Sequence, residues 1–405
     1  MLNVKGGVML DLLHGIQVIS FNHFLMGPLG VQILADMGAD VICVESLEGG
    51  FQRRFGGAKS YIDGDGSSFH LAGRNKRNIA LNLKHETGVK IARALIKKAD
   101  VVTENFRPGV MERLGLGYDS LSRLNPSLIY AAATGFGASG PGADRPGQDL
   151  LVQALSGLAM ISGTRASGPR PVGVSIADHH GAALYALGIL GGLIRRQRSG
   201  KGCYVDVDLM SAAIDLQVES FVSYLNSDYR DSLLSPAAIG GWYNSAPYGI
   251  YAARGGHLAI SHCDLGILAD GLDLPELKPF IGSDLFDCRE EVAGLISEKI
   301  STLDCQQVLD TLVSLKIWCA PVNDYDDVIN DPQIKHNRNF ISTTSAKGTP
   351  MTLVNHPVRY DGKVAEVHIP PQPLGAQSSE ILMELGWDEA AIAELVKDRV
   401  IALAG

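Results

Sequence analysis

Short apolar runs alternate with longer stretches whose apolar positions recur every three or four residues, and this alternation fills the first half of the chain. Runs at 16–21, 40–45, 78–82, 100–103 and 127–133 read as strands buried on both faces. Between them, Val31, Leu34, Ala35 and Met37 mark a first helix, and helical patterns follow at 86–98 and 118–124. Strand, helix, strand in this order makes a parallel crossover, and its repetition predicts a doubly wound α/β sheet. Two further helical stretches, 149–162 and 178–198, come next; the second is rich in Ala, Gly and Leu, which implies close helix packing.

A strand at 204–208 and a helix through Val222 end this pattern. Residues 226–335 carry a Gly240-Gly241 turn, short strands such as 256–260, and amphipathic helices near 289–301 and 305–314, the make-up of a smaller α/β domain. The division expected is therefore a large domain begun by 1–225, the small domain at 226–335, and a return to the large domain at 336–405, with a last helix at 390–402.

Composition narrows the chemistry. The chain has 405 residues and 46% hydrophobic content, enough for a sizeable core, and its net charge of −9 argues against wrapping nucleic acid or lying on an anionic membrane. A phosphate-bearing ligand would have to be met by local basic residues. The cysteines Cys43, Cys203, Cys263, Cys288, Cys305 and Cys319 form no CxxC pair, so neither a zinc site nor a disulfide framework is suggested. Residues 1–13 lack a secretory leader pattern, and no run reaches the roughly 18 apolar residues of a membrane span. A soluble, cytoplasmic protein with reduced thiols is expected.

Several segments could carry chemistry. Gly27-Pro28-Leu29-Gly30 follows a strand, but the G-x-G-x-x-G spacing of a dinucleotide site is missing. Arg74, Lys76 and Arg77 precede one strand and residues 104–109 follow another; in open α/β sheets such loops bind ligands, although charged turns are also commonly just solvated. The loop 135–142 contains four glycines, which suit close backbone approach to a ligand or a plain turn equally well. Asp178 stands between a strand-like segment, 172–176, and the start of the small-residue helix. Locally it reads as an N-terminal cap, or as an ionised carboxylate poised for nucleophilic attack. The adjacent His179 and His180 point in different directions on a helix and find no third ligand at suitable spacing, so no metal is expected.

The segment 171–181 with Asp178, the Ala-rich helix, and the stretch 198–209 together resemble the signature of class III CoA-transferases. Four more segments match in order: Gly27-Pro28 with 34–42, residues 74–77, residues 104–109, and residues 135–141. The resemblance implies a Rossmann-like large domain with an open parallel sheet, a smaller α/β domain, and an interlocked homodimer. It implies transfer of CoA from an acyl-CoA donor to a carboxylic acid acceptor, with Asp178 as nucleophile and no permanently bound cofactor. By position, His23, Asn105 and Arg113 resemble residues lining the CoA channel, Arg74 and Lys76 resemble those near its phosphates, and Gly240-Gly241 resembles a mobile glycine loop.

Two departures refine this. Formyl-handling members carry glutamine where Leu25 stands, so a more apolar acid is plausible here. The racemases of the same family, which shuttle an α-proton, carry Gly-His-Asp where this chain has Gly147-Gln148-Asp149; Gln148 cannot act as that base, which favours transfer over racemisation. Asp149 is left to orient substrate or ligand. A CoA-binding protein without catalysis is the remaining alternative.

Overall fold

Six of the apolar runs become parallel strands: β1 (Gln17–Phe21), β2 (Asp40–Glu45), β3 (Lys76–Leu81), β4 (Val101–Glu104), β5 (Ile129–Thr134) and β6 (Cys203–Asp208). The computed structural model, which describes residues 10–229 and 231–404, sets them in one sheet with a seventh strand, β7 (Ile401–Ala402), antiparallel to β3 at the edge. The spatial order is β7-β3-β2-β1-β4-β5-β6. The parallel part runs 3-2-1-4-5-6, so the chain reverses its direction of travel between β1 and β4, and that crevice is where doubly wound sheets place their ligands.

Alternation along each strand feeds two cores. Val18, Val41, Val101 and Ile129 face one side, where they pack under helices α1 (Met26–Asp36) and α3 (Ile176–Ser199). Ile19, Ile42, Val102 and Tyr130 face the other, under α2 (Glu86–Lys98) and the helices Ser378–Glu384 and Glu389–Lys397. Helix α2 shows why such segments form: Glu86 opens it, Lys97 and Lys98 close it, and Ile91, Leu95 and Ile96 make one buried stripe between them.

Helices α1 and α3 approach closely because glycines face the contact. A Cβ on Gly30 would stand 2.9 Å from the Ala182 carbonyl oxygen and 3.0 Å from the Tyr185 ring; one on Gly181 would stand 3.0 Å from the Met26 methyl. Small residues here let backbone meet backbone and lay the first turns of the two helices side by side.

The chain divides into two compact units. Among the described residues one comprises 10–152, 175–213 and 332–404; the other comprises 153–174, 214–229 and 231–331. The second unit is built on a three-stranded antiparallel sheet of Cys319–Pro321, Gly256–Ile260 and Gly249–Ala253. Its core of Leu258, Leu268, Val292, Ile296 and Leu312 lies under Leu265–Gly271, Arg289–Ser301 and Cys305–Ser314. Gly240 and Gly241 belong to this unit, and Gly240 donates its N–H to the Tyr248 carbonyl at 2.9 Å.

These boundaries differ from those drawn from sequence, because 153–174 leaves the large unit early: the Arg165 guanidinium pairs with Glu290 at 2.7 Å and Asp231 at 3.2 Å. Three local readings also change. The helical stretch 149–162 splits at Gly157, which takes a φ of +85°. The strand-like 172–175 pairs with no strand and leads directly into α3. The terminal helix stops at Lys397, and Ile401–Ala402 turns back as β7. Among the described residues no helix is long and apolar enough to cross a membrane.

The α1–α3 contact yields a graded test. Gly30→Ala drives a methyl against a fixed carbonyl and should cost about 1–3 kcal/mol in urea unfolding; Gly181→Ala meets only the mobile end of Met26 and should cost less.

Candidate active site

The close packing of α1 on α3 decides where Asp178 points. Asp178 lies in the first turn of α3, and its half-buried carboxylate stands by the backbone N–H of Met26, the first residue of α1, which favours its charged form. One carboxylate thus sits against the amide-rich ends of two helices, both of which favour negative charge. Burial opposes them, and the nearby Asp149 carboxylate adds repulsion, so the Asp178 pKa is pushed up to about 7.

Asp149 holds this helix start in place. Its Oδ1 accepts the backbone N–H groups of Ala177 at 2.7 Å and Asp178 at 3.1 Å, satisfying two of the free donors of α3 from a distant part of the chain. Asp149 is itself set by the glycine-rich loop: a Cβ on Gly135 would fall 2.5 Å from the Gly147 Cα. The close approach those glycines allow is made to the chain's own backbone. Gln148, between Gly147 and Asp149, is exposed.

The crevice between β1 and β4 is clasped by His23 and Asn105. The Asn105 Oδ1 accepts the His23 N–H at 2.8 Å, and its Nδ2 donates to the His23 carbonyl at 2.7 Å. The Asn105 amide is therefore engaged with backbone. The His23 ring lies between Phe24 at 4.6 Å and Phe106 at 5.1 Å, and burial lowers its pKa to about 4, so it is a neutral imidazole at physiological pH. Leu25 stands at the N-cap of α1, next to the Met26 amide that meets Asp178. Arg113, at the end of the short helix Val110–Arg113, is exposed.

Arg74 and Lys76 are both held inside the large unit. Arg74 is buried and forks onto Asp36 through Nε at 3.0 Å and Nη2 at 2.6 Å, while Nη1 donates to the Val354 carbonyl at 2.8 Å. Asn75 adds a 2.9 Å bond to the same carboxylate. Lys76 is buried too; its ammonium donates to the carbonyls of Pro28 and Ala72, each at 2.7 Å, and burial lowers its pKa to about 8. Both side chains tie α1 to β3 and the loop before it, and both are engaged with protein partners in this structure.

Three contributors escaped the sequence reading. Met26 acts through a backbone amide, which no side-chain pattern reveals. Asp36 lies in the matched stretch 34–42 and could have been named as a partner for the basic cluster. Glu104, at the end of β4, accepts the Phe106 N–H at 2.8 Å, and burial pushes its pKa up to about 7.

The molecule is therefore an open α/β scaffold with a half-buried carboxylate beside its switch point. The chain matches CoA-transferase family III over residues 13–378 and belongs to that family. It is an acyl-CoA:carboxylate CoA-transferase, an enzyme that moves CoA between carboxylic acids. It is 30% identical over 406 residues to succinyl-CoA:glutarate CoA-transferase of Mus musculus, covering 96% of this chain and 90% of that protein. It is 32% identical to succinyl-CoA:mesaconate CoA-transferase of Haloarcula marismortui, over 93% of this chain and 97% of that one. A CAIB/BAIF family protein from Brucella suis superposes with a TM-score of 0.80 at 30% identity, over 92% of this chain and 99% of the other.

The raised Asp178 pKa has a signed consequence. A native carboxyl that titrates near 7, against roughly 3.9 unfolded, makes the fold less stable as pH climbs between the two values. Asp178→Asn should therefore raise the melting temperature by a few degrees at pH 8, with the gain vanishing toward pH 4. For Arg74, loss of a buried partner predicts that Arg74→Ala costs about 3–5 kcal/mol of stability; a stable variant with only a raised KM for acyl-CoA would return Arg74 to the phosphate site.

Proposed function

We propose that Asp178 is the nucleophile of a covalent transfer. Its ionised carboxylate attacks the thioester carbonyl of the donor, the C–S bond breaks, and CoA thiolate leaves an aspartyl anhydride. The thiolate then attacks the Asp178 carbonyl carbon, releasing the donor acid and forming an aspartyl-CoA thioester. The acceptor carboxylate displaces CoA in the same two steps reversed, so electrons and protons balance without a redox group. The observation that supports this most directly is the Asp178 carboxylate itself, half-buried and meeting the Met26 amide. Such amides stabilise oxyanions as the carbonyl becomes tetrahedral.

In this reading the α1 start supplies the acyl wall through Leu25, the neutral His23 and exposed Arg113 line the approach of CoA, and Asp149 positions α3. The Gly240-Gly241 turn shields the intermediate, and the working enzyme is an interlocked homodimer in the cytoplasm. The two relatives named above act on succinyl-CoA with glutarate or mesaconate, which makes dicarboxylates the first acceptors to screen against succinyl-CoA and acetyl-CoA. Gln148, exposed and without a basic group, gives racemisation no proton acceptor.

Incubation with acyl-CoA followed by borohydride or hydroxylamine should modify one peptide, at Asp178, and Asp178→Ala should lose at least about a thousandfold in kcat, roughly 4 kcal/mol of barrier. An active Asp178→Ala enzyme would sink the proposal.

A further inference from the structure

The segment that returns to the large unit builds a cleft away from Asp178. His336 closes the helix Pro332–His336, Arg338 follows, and Arg359 and Lys363 flank a tight turn in which Tyr360 and Lys363 exchange backbone hydrogen bonds of 3.1 and 2.9 Å. With Gly362, Val364 and Glu366 these side chains line a cleft of about 450 Å³, within the usual range for a small-molecule site.

The cations are held in place. The Arg359 guanidinium donates to the Asn337 carbonyl. Arg338 takes a φ of +53° that few side chains adopt, its carbonyl accepts the amide of the buried Asn355 at 3.1 Å, and its guanidinium stands 3.5 Å from Glu366. Arg338, Arg359 and Lys363 are three basic side chains opposed, within the lining, by Glu366 alone; the exposed Asp361 lies in the same turn but outside the lining. In a chain of net charge −9 this excess is local. Two guanidinium forks and an ammonium from separate segments match the spread oxygens of a polyanion.

The cleft also lies apart from the nucleophile. Tyr360 Oη is 3.9 Å from Met37 Sδ, just past the C-terminal end of α1, whereas Asp178 meets Met26 at its N-terminal end. The eleven residues of α1 separate the two by roughly 16 Å.

We propose that this cleft is a binding site for a small ligand carrying two or more phosphate groups. The phosphates have two sources, a free phosphorylated metabolite or the nucleotide end of CoA. Calorimetric titration of the full-length enzyme with inorganic pyrophosphate should show saturable binding that weakens with salt. The double variant Arg359→Glu/Lys363→Glu should lose at least about tenfold in affinity, near 1.4 kcal/mol. Lys363→Gln, a milder change, should give a smaller loss in the same direction if the reversals fold poorly. In the double variant, a KM raised for CoA thioesters assigns the site to the CoA nucleotide; unchanged KM values with pyrophosphate binding lost assign it to a free metabolite. No saturable binding by the unaltered enzyme, or equal binding by the double variant, would overturn the proposal.

Discussion

The contact of α1 with α3 shapes this site, because it brings the amide of Met26 to the carboxylate of Asp178. Glycines at 30 and 181 remove the side chains that would hold the helices apart. Everything else at the site supports that meeting. Asp36, Arg74 and Lys76 fix α1 to the sheet and its loops, Asp149 fixes the start of α3, and the His23–Asn105 clasp fixes the loops after β1 and β4.

Opposed forces act on the one carboxylate. Helix-end amides stabilise its anion, while burial and Asp149 destabilise it, and the balance leaves it titrating near neutrality. A carboxylate at its ordinary pKa is a weak, well-hydrated nucleophile. For the proposed nucleophile, partial desolvation would strip away that hydration and raise basicity, while the amides would keep part of the population ionised. Asp149 works in both directions, ordering the helix through its hydrogen bonds and raising the pKa through its charge.

Much of this was legible in the sequence where the governing contacts are local. Strands β1 to β6 show as apolar runs because both their faces are buried, and α2 shows through its stripe and its charged ends. The position of Asp178 at a helix start was equally plain. What escaped depends on contacts between distant residues. Arg74 looks like a surface cation until Asp36, far back in the chain, is seen against it. The partner of Asp178 is a main-chain amide with no residue preference at all, and β7 is two residues long, too short for any periodicity.

The arrangement of β7 bears on how the protein is made. Ile401 pairs with Leu81, about 320 residues earlier, and the large unit is interrupted twice by segments of the other. As the chain emerges from the ribosome, the outer edge of β3 must wait with its peptide groups unpaired while the whole second unit is synthesised. Each nascent copy thus carries an open sheet edge for most of its synthesis time.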